Sequence, residues 1–186
     1  MALIDIGAEA KDRGGVWSKN YTLIGKDNPA NASGTITSIE IWAASSMTIC
    51  RVGTFYTTNG NTLKCRDSAI IGEVADNAKR TFTEDSKGSP LAITVESGDY
   101  IGMIYETGSI ERDLEGYAGL WSKLGAYIDP GDEAAYGFVE GDAISLYGTG
   151  ETPPGWTGKV SGVTNPAKVM GVDIANIAKV KGVASA

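Results

Sequence analysis

Residues 35–71 read TITSIEIWAASSMTICRVGTFYTTNGNTLKCRDSAII, and this stretch decides the fold class. Three runs rich in β-branched and aromatic residues, Thr35–Ala43, Met47–Tyr56 and Leu63–Ile71, follow one another, with Asn59-Gly60 between the last two. Such residues suit a pleated, half-buried surface, and Asn-Gly is a strong hairpin signal. Ile36 and Ile39 lie three apart, not two, which predicts a β-bulge in the first run. A two-residue turn at Asn59-Gly60 pairs position 54 with 65 and 50 with 69, so Cys50 and Cys65 do not face each other. Both thiols then read as buried and reduced, and a disulfide needs a longer loop centred near Thr57 and Thr58.

Working outward, similar runs recur at Tyr21–Ile24, Leu91–Val95, Tyr100–Tyr105 and Ala143–Tyr147. Turn formers separate them: Gly88-Ser89-Pro90, Ser97-Gly98-Asp99, Pro130-Gly131-Asp132 and Glu140-Gly141-Asp142. Leu91, Ile93 and Val95 alternate with Ala92 and Thr94, the mark of a half-buried strand. No amphipathic helical stretch of good length precedes residue 150. The pattern predicts an all-β body, a jelly-roll-like antiparallel β-sandwich with roughly eight to ten strands in two sheets.

Bulk composition narrows the function. The chain has 186 residues, 42% of them hydrophobic and 21% charged, an ordinary globular balance. It holds no His, which removes the Ser-His-Asp triad, the Cys-His pair and the imidazole-ligated zinc site. A net charge of −7 repels nucleic acid. No apolar stretch nears the ~18 residues that span a bilayer. The start, MALIDIGAEAKDR, lacks the layout of a signal peptide, so the expectation is synthesis in a cytosol without export by that route.

Charge divides the chain near the Gly/Pro-rich segment 148–155. Residues 1–149 carry 12 Lys and Arg against 21 Asp and Glu, a net of −9. Residues 150–186 carry four Lys against Glu151 and Asp173, a net of +2. All eight Tyr and all three Phe lie in the first part, which is therefore read as the body and the rest as a C-terminal arm. The arm repeats Lys-Val-x-Gly-Val at 159–163, 168–172 and 179–183. Asn165-Pro166 suits a helix start, but Gly171 and Gly182 disfavour a helix by about 1 kcal/mol each. Short extended pieces with one helical turn after Pro166 are the expectation. Val160, Val163, Val169, Val172, Ile174, Ile177, Val180 and Val183 are too thinly spread to bury one another. They mark the arm as a segment that lies on its own body, a neighbouring copy or another protein.

Candidate chemistry is sparse. Glu111, Asp113 and Glu115 share one face if their stretch is a strand, and clustered oxygens of this kind hold Ca²⁺ or simply face solvent. No twelve-residue calcium loop is present. Asp129, Asp132 and Glu133 surround Pro130-Gly131 and read as turn chemistry. Two carboxylates can hydrolyse a glycoside without His, but nothing marks one pair among 23 acidic residues. No catalytic residue, cofactor or metal site is therefore expected. Of Trp17, Trp42, Trp121 and Trp156, Trp121 in GLWSKLG lies between glycines and is the best candidate for a surface glycan platform, with core packing the other reading.

The tail GKVSGVTNPAKVMGVDIANIAKVKGVA resembles the Lys-Val-x-Gly-Val repeats near the ends of structural proteins of tailed bacteriophages. The body segments GTFYTTNGNTLKCRDS, LAITVESGDYIGMIY and GDAISLYGTG resemble small β-sandwich proteins encoded in phage genomes. Residues 91–102 are similar in pattern to a late strand pair of jelly-roll domains. The resemblance implies a non-enzymatic virion protein, such as a capsid decoration, fibre-base or tail-associated component, made in the host cytoplasm. It carries no catalytic residues. Its partners would be copies of itself, as a trimer by jelly-roll analogy, and neighbouring virion proteins. The alternative is a carbohydrate-binding module that attaches to a glycan surface. A glycoside-active enzyme would need two acidic side chains facing each other across a cleft.

Overall fold

The runs read as Thr35–Ala43 and Met47–Tyr56 form one strand of 26 residues, β4 (Gly34–Asn59). Ala44, Ser45 and Ser46, which lie between them, include no Gly or Pro to end a strand, and Ser45 is paired with Ser109. The computed structural model describes residues 3–153 and, beyond them, the backbone of 159–160, 163–164, 168–169 and 172–173.

Before β4 come β1 (Leu3–Gly7), β2 (Gly15–Ser18) and β3 (Tyr21–Gly25). After it come β5 (Thr62–Val74), β6 (Lys79–Phe82), β7 (Ile93–Val95), β8 (Tyr100–Ile104) and β9 (Thr107–Leu124). The body closes with β10 (Glu133–Ala135), β11 (Gly137–Ile144) and β12 (Leu146–Glu151). All twelve belong to one sheet, and every strand pair in it is antiparallel, with the path β1-β12-β4-β8-β3-β9-β11. The all-β class is as expected. The strand number is twelve, above the eight to ten expected, because short or charged strands such as β1, β2, β6 and β10 carry weak signals.

β4 serves both halves of the sheet. Its first half pairs with β12 on one side and with β6 and β7 on the other. Its second half pairs with β5 and β8. The halves meet across one core: Ile36, Ile39 and Ile41 of β4 and Ile4 and Ile6 of β1 cluster with Leu23, Ile101, Met103 and Leu120. Each such side chain, fully buried, contributes about 1.5–3 kcal/mol. A second cluster joins Ile24, Phe55, Leu63, Cys65, Trp121, Ile128 and Tyr136.

Local chemistry sets the details. The bulge expected from Ile36 and Ile39 is present: Thr149 pairs with Ser38 and Gly150 with Ile36, which leaves Thr37 unpaired. The turn after β4 is shifted by one residue from expectation. Gly60-Asn61 forms the loop, Asn59 pairs with Thr62, and Gly60 has φ 58°, the position that demands Gly in a hairpin of this length. Cys65 is therefore opposite Phe55, and Cys50 is opposite Gly72. Both are free and buried.

Glu140-Gly141-Asp142, expected as a turn, is a bulge inside β11, with register shifts on both sides of Gly141. The run Ala143–Tyr147 is broken at Ser145, where the chain leaves β9 and joins β4 and β1. The outer edge of β1 is closed by the Asn31 side chain and the Asn28 backbone. Asn31 Oδ1 accepts from Asp5 N at 3.2 Å, Asn31 Nδ2 donates to Leu3 O at 3.3 Å, and Gly7 N donates to Asn28 O at 2.9 Å. An edge strand covered in this way is a poor template for further strand pairing.

Past the body, β13 (Lys159–Val160) pairs with β14 (Val163–Thr164), and β15 (Lys168–Val169) pairs with β16 (Val172–Asp173). These agree with the extended pieces expected for the arm. The helical turn expected after Pro166 lies outside the described residues.

Candidate functional site

The acidic stretch of β9 faces a cation of its own chain. Arg13 Nη1 donates to Asp113 Oδ2 and, at 2.7 Å, to the Tyr117 hydroxyl; Nε donates to Ser145 Oγ at 2.7 Å and Nη2 to Glu9 O at 2.7 Å. Glu111 Oε2 accepts from Arg13 N at 3.1 Å. The period-two reading holds for Glu111 and Asp113, whereas Glu115 is exposed beyond them. Two of the three oxygen donors proposed for Ca²⁺ are thus engaged by Arg13, and among the described residues no group of three His, Cys, Asp or Glu is placed to hold a metal. Next to this network Arg112 pairs with buried Asp142 and lies 4.2 Å over the Trp17 ring. Nothing in the spacing of Arg13 pointed to its side-chain partners Glu111, Asp113, Tyr117 and Ser145, which lie 98 to 132 residues away.

Burial acts on Asp113 first and disfavours its charge. The hydrogen bond and charge of Arg13, with Gly14 N–H and the Tyr117 hydroxyl, outweigh it and hold the carboxyl below its ordinary range. Asp129 and Asp132 close their turn as expected: Asp129 N donates to Asp132 Oδ2 at 3.0 Å, and Asp132 N donates to Asp129 O at 2.9 Å. Asp129 also pairs with Arg51, and Glu133 accepts from Thr58 Oγ1 at 2.6 Å.

Trp121 is not a surface platform. It is 3% exposed, packs against Tyr100 and Phe138, and donates from Nε1 to Asn61 Oδ1 at 2.9 Å. Its flanking glycines do not expose it. Gly119 lies under Phe138, where a Cβ would come within 2.4 Å of its ring, so it permits close packing and does not expose its neighbour. Trp17 and Tyr21, both half-buried and 5.9 Å apart edge to face, line a shallow cleft beside Arg112.

The arm residues divide by placement. Val160, Val163, Val169 and Val172 stand in the paired strands, Val160 opposite Val163 and Val169 opposite Val172. The first two repeats thus share one register, and their strands pair with each other and not with the body sheet. Ile174, Ile177, Val180 and Val183 lie outside the described residues, as does the third repeat.

β4 carries one further irregularity. Ile49 has φ 52°, a left-handed conformation that is a genuine outlier for a β-branched side chain, and it is 50% exposed. It falls in the register shift between Met47 and Cys50. Sequence reading had no signal for it, because the residue looks like any other strand isoleucine. No family model, no curated protein and no solved structure matches the chain.

Proposed function

We propose that this chain is a non-enzymatic structural protein of a virion of the tailed-bacteriophage type, a capsid decoration, fibre-base or tail-associated component. Residues 150–186 join it to copies of itself and to neighbouring virion proteins. It is made in the host cytoplasm and acts in the particle. The observation that carries this reading is the repeated pairing in the tail. Two copies of Lys-Val-x-Gly-Val pair in the same register and outside the body sheet. A pair of two-residue strands is too small to be stable alone, since even longer isolated hairpins are marginal in water. A repeated unit of this size gains stability by lying on another surface. The net of +2 on the arm against −9 on the body adds a salt-dependent attraction.

The test is a chain ended after Pro153, because β12 runs to Glu151. It should unfold cooperatively near the full chain's melting temperature yet lose self-association by light scattering. A shortened chain that keeps the full chain's mass in solution overturns the reading.

A second reading, attachment to a glycan, rests on one observation: Trp17, Tyr21 and Arg112 line a shallow cleft of about 180 Å³. An aromatic face with nearby donors suits a sugar ring. A glycan array should then give binding that Trp17→Ala removes and Trp121→Phe does not.

A further inference from the structure

Ser46, Met47 and Thr48 of β4 and Glu73, Val74 and Ala75 at the end of β5 line an open cleft of about 370 Å³. Ile49 is the next residue along β4 and stands 50% exposed. Three carboxylates rim this surface. Glu73 lines it, Asp76 accepts from Ser46 Oγ at 2.8 Å, and Glu106 is held beside it by its N–H to Thr48 O at 3.0 Å. Glu73 and Glu106 are exposed; of the cations after the same turn, Arg80 reaches Ala75 O at 3.3 Å and Lys79 pairs with Glu40 at 3.1 Å. The surface thus offers an apolar side chain, a recess and a net negative rim. The tail carries the complementary pattern, a Lys directly followed by Val in each of three repeats.

We infer that the cleft beside Ile49 receives a Lys-Val-x-Gly-Val hairpin of a second copy of this chain. This rests on the proposed role of the tail and names its docking surface. The valines cover Ile49 and the recess, and the repeat lysines meet Glu73, Asp76 and Glu106. The occupant is a neighbouring copy because the tail is proposed to join copies of the chain, and its repeat lysines complement the negative rim.

The conformation of Ile49 supplies a discriminating variant. Asn tolerates positive φ far better than Ile. Ile49→Asn in the full chain should therefore leave the melting temperature unchanged or raised, while weakening self-association at least tenfold in sedimentation velocity at low salt. A purely structural role for Ile49 would instead lower the melting temperature. Glu73→Lys with Glu106→Lys should weaken association similarly, and adding Lys159→Glu and Lys168→Glu should recover part of it. The inference is overturned if the full chain is monomeric or if Ile49→Asn associates as tightly as the parent. If Ile49→Asn associates normally while the chain ended after Pro153 is monomeric, the tail still assembles the protein but docks elsewhere. If the shortened chain also associates, both readings fall.

Discussion

Arg13 and Asp113, a hundred residues apart in the chain, form an ion pair in which the arginine side chain has no exposed surface. The guanidinium lies 4.8 Å from the centre of the Tyr117 ring and also serves Ser145 and Glu9. Ser145 Oγ donates in turn to Lys11 O at 2.6 Å. One side chain thereby ties the irregular N-terminal segment to the point where the chain passes from β11 to β12.

Arg13→Ala should cost about 1–3 kcal/mol, because it removes the charge partner of Asp113 and a donor to Ser145 Oγ and Glu9 O. Arg13→Lys should recover little, since an ammonium cannot reproduce the planar fork. Urea unfolding of the two variants measures both effects.

Stability should fall as acid protonates Asp113. Its pKa is lowered in the folded chain, so the contribution is complete above the unfolded value, about 3.9, and is lost as pH falls through the lower folded value. Asp85, held down by Ser89 and Lys87 N–H groups, acts in the same direction. Asp113→Asn should flatten the acid limb of a stability-against-pH curve, and an unchanged limb would refute the assignment.

Both thiols should be inert in the folded protein. Burial pushes Cys50 and Cys65 up to about 12, with Asp132 and Asp67 adding to the rise at Cys65. A thiol reagent at pH 8 should label neither in buffer and both in denaturant. Oxidation should not join them within one molecule, because their strand partners are Gly72 and Phe55.

Gly150→Ala should be severely destabilising. A Cβ there would come within 2.0 Å of Thr35 O and 2.7 Å of Ile36 Cα, both backbone atoms at the β4 bulge. A loss at or beyond the ~1–3 kcal/mol typical of overpacking is expected in chemical denaturation. Gly14→Ala, which would meet nothing within 4 Å, is the control.

The all-β class, the Thr37 bulge and the alternation of Leu91, Ile93 and Val95 are legible in the sequence. Each of these follows from residue type and spacing within a few positions, where backbone sterics and side-chain periodicity act. Tertiary structure alone decided the continuity of β4, because whether Ala44–Ser46 extend or turn depends on β9 being there to pair with Ser45. It also buried Trp121 and engaged Glu111 and Asp113 with Arg13, since a carboxylate face reads the same whether water or Arg13 stands opposite. The left-handed Ile49 was likewise invisible: its conformation is imposed by a register shift between β4 and β5, which no property of an isoleucine in a strand-like run encodes.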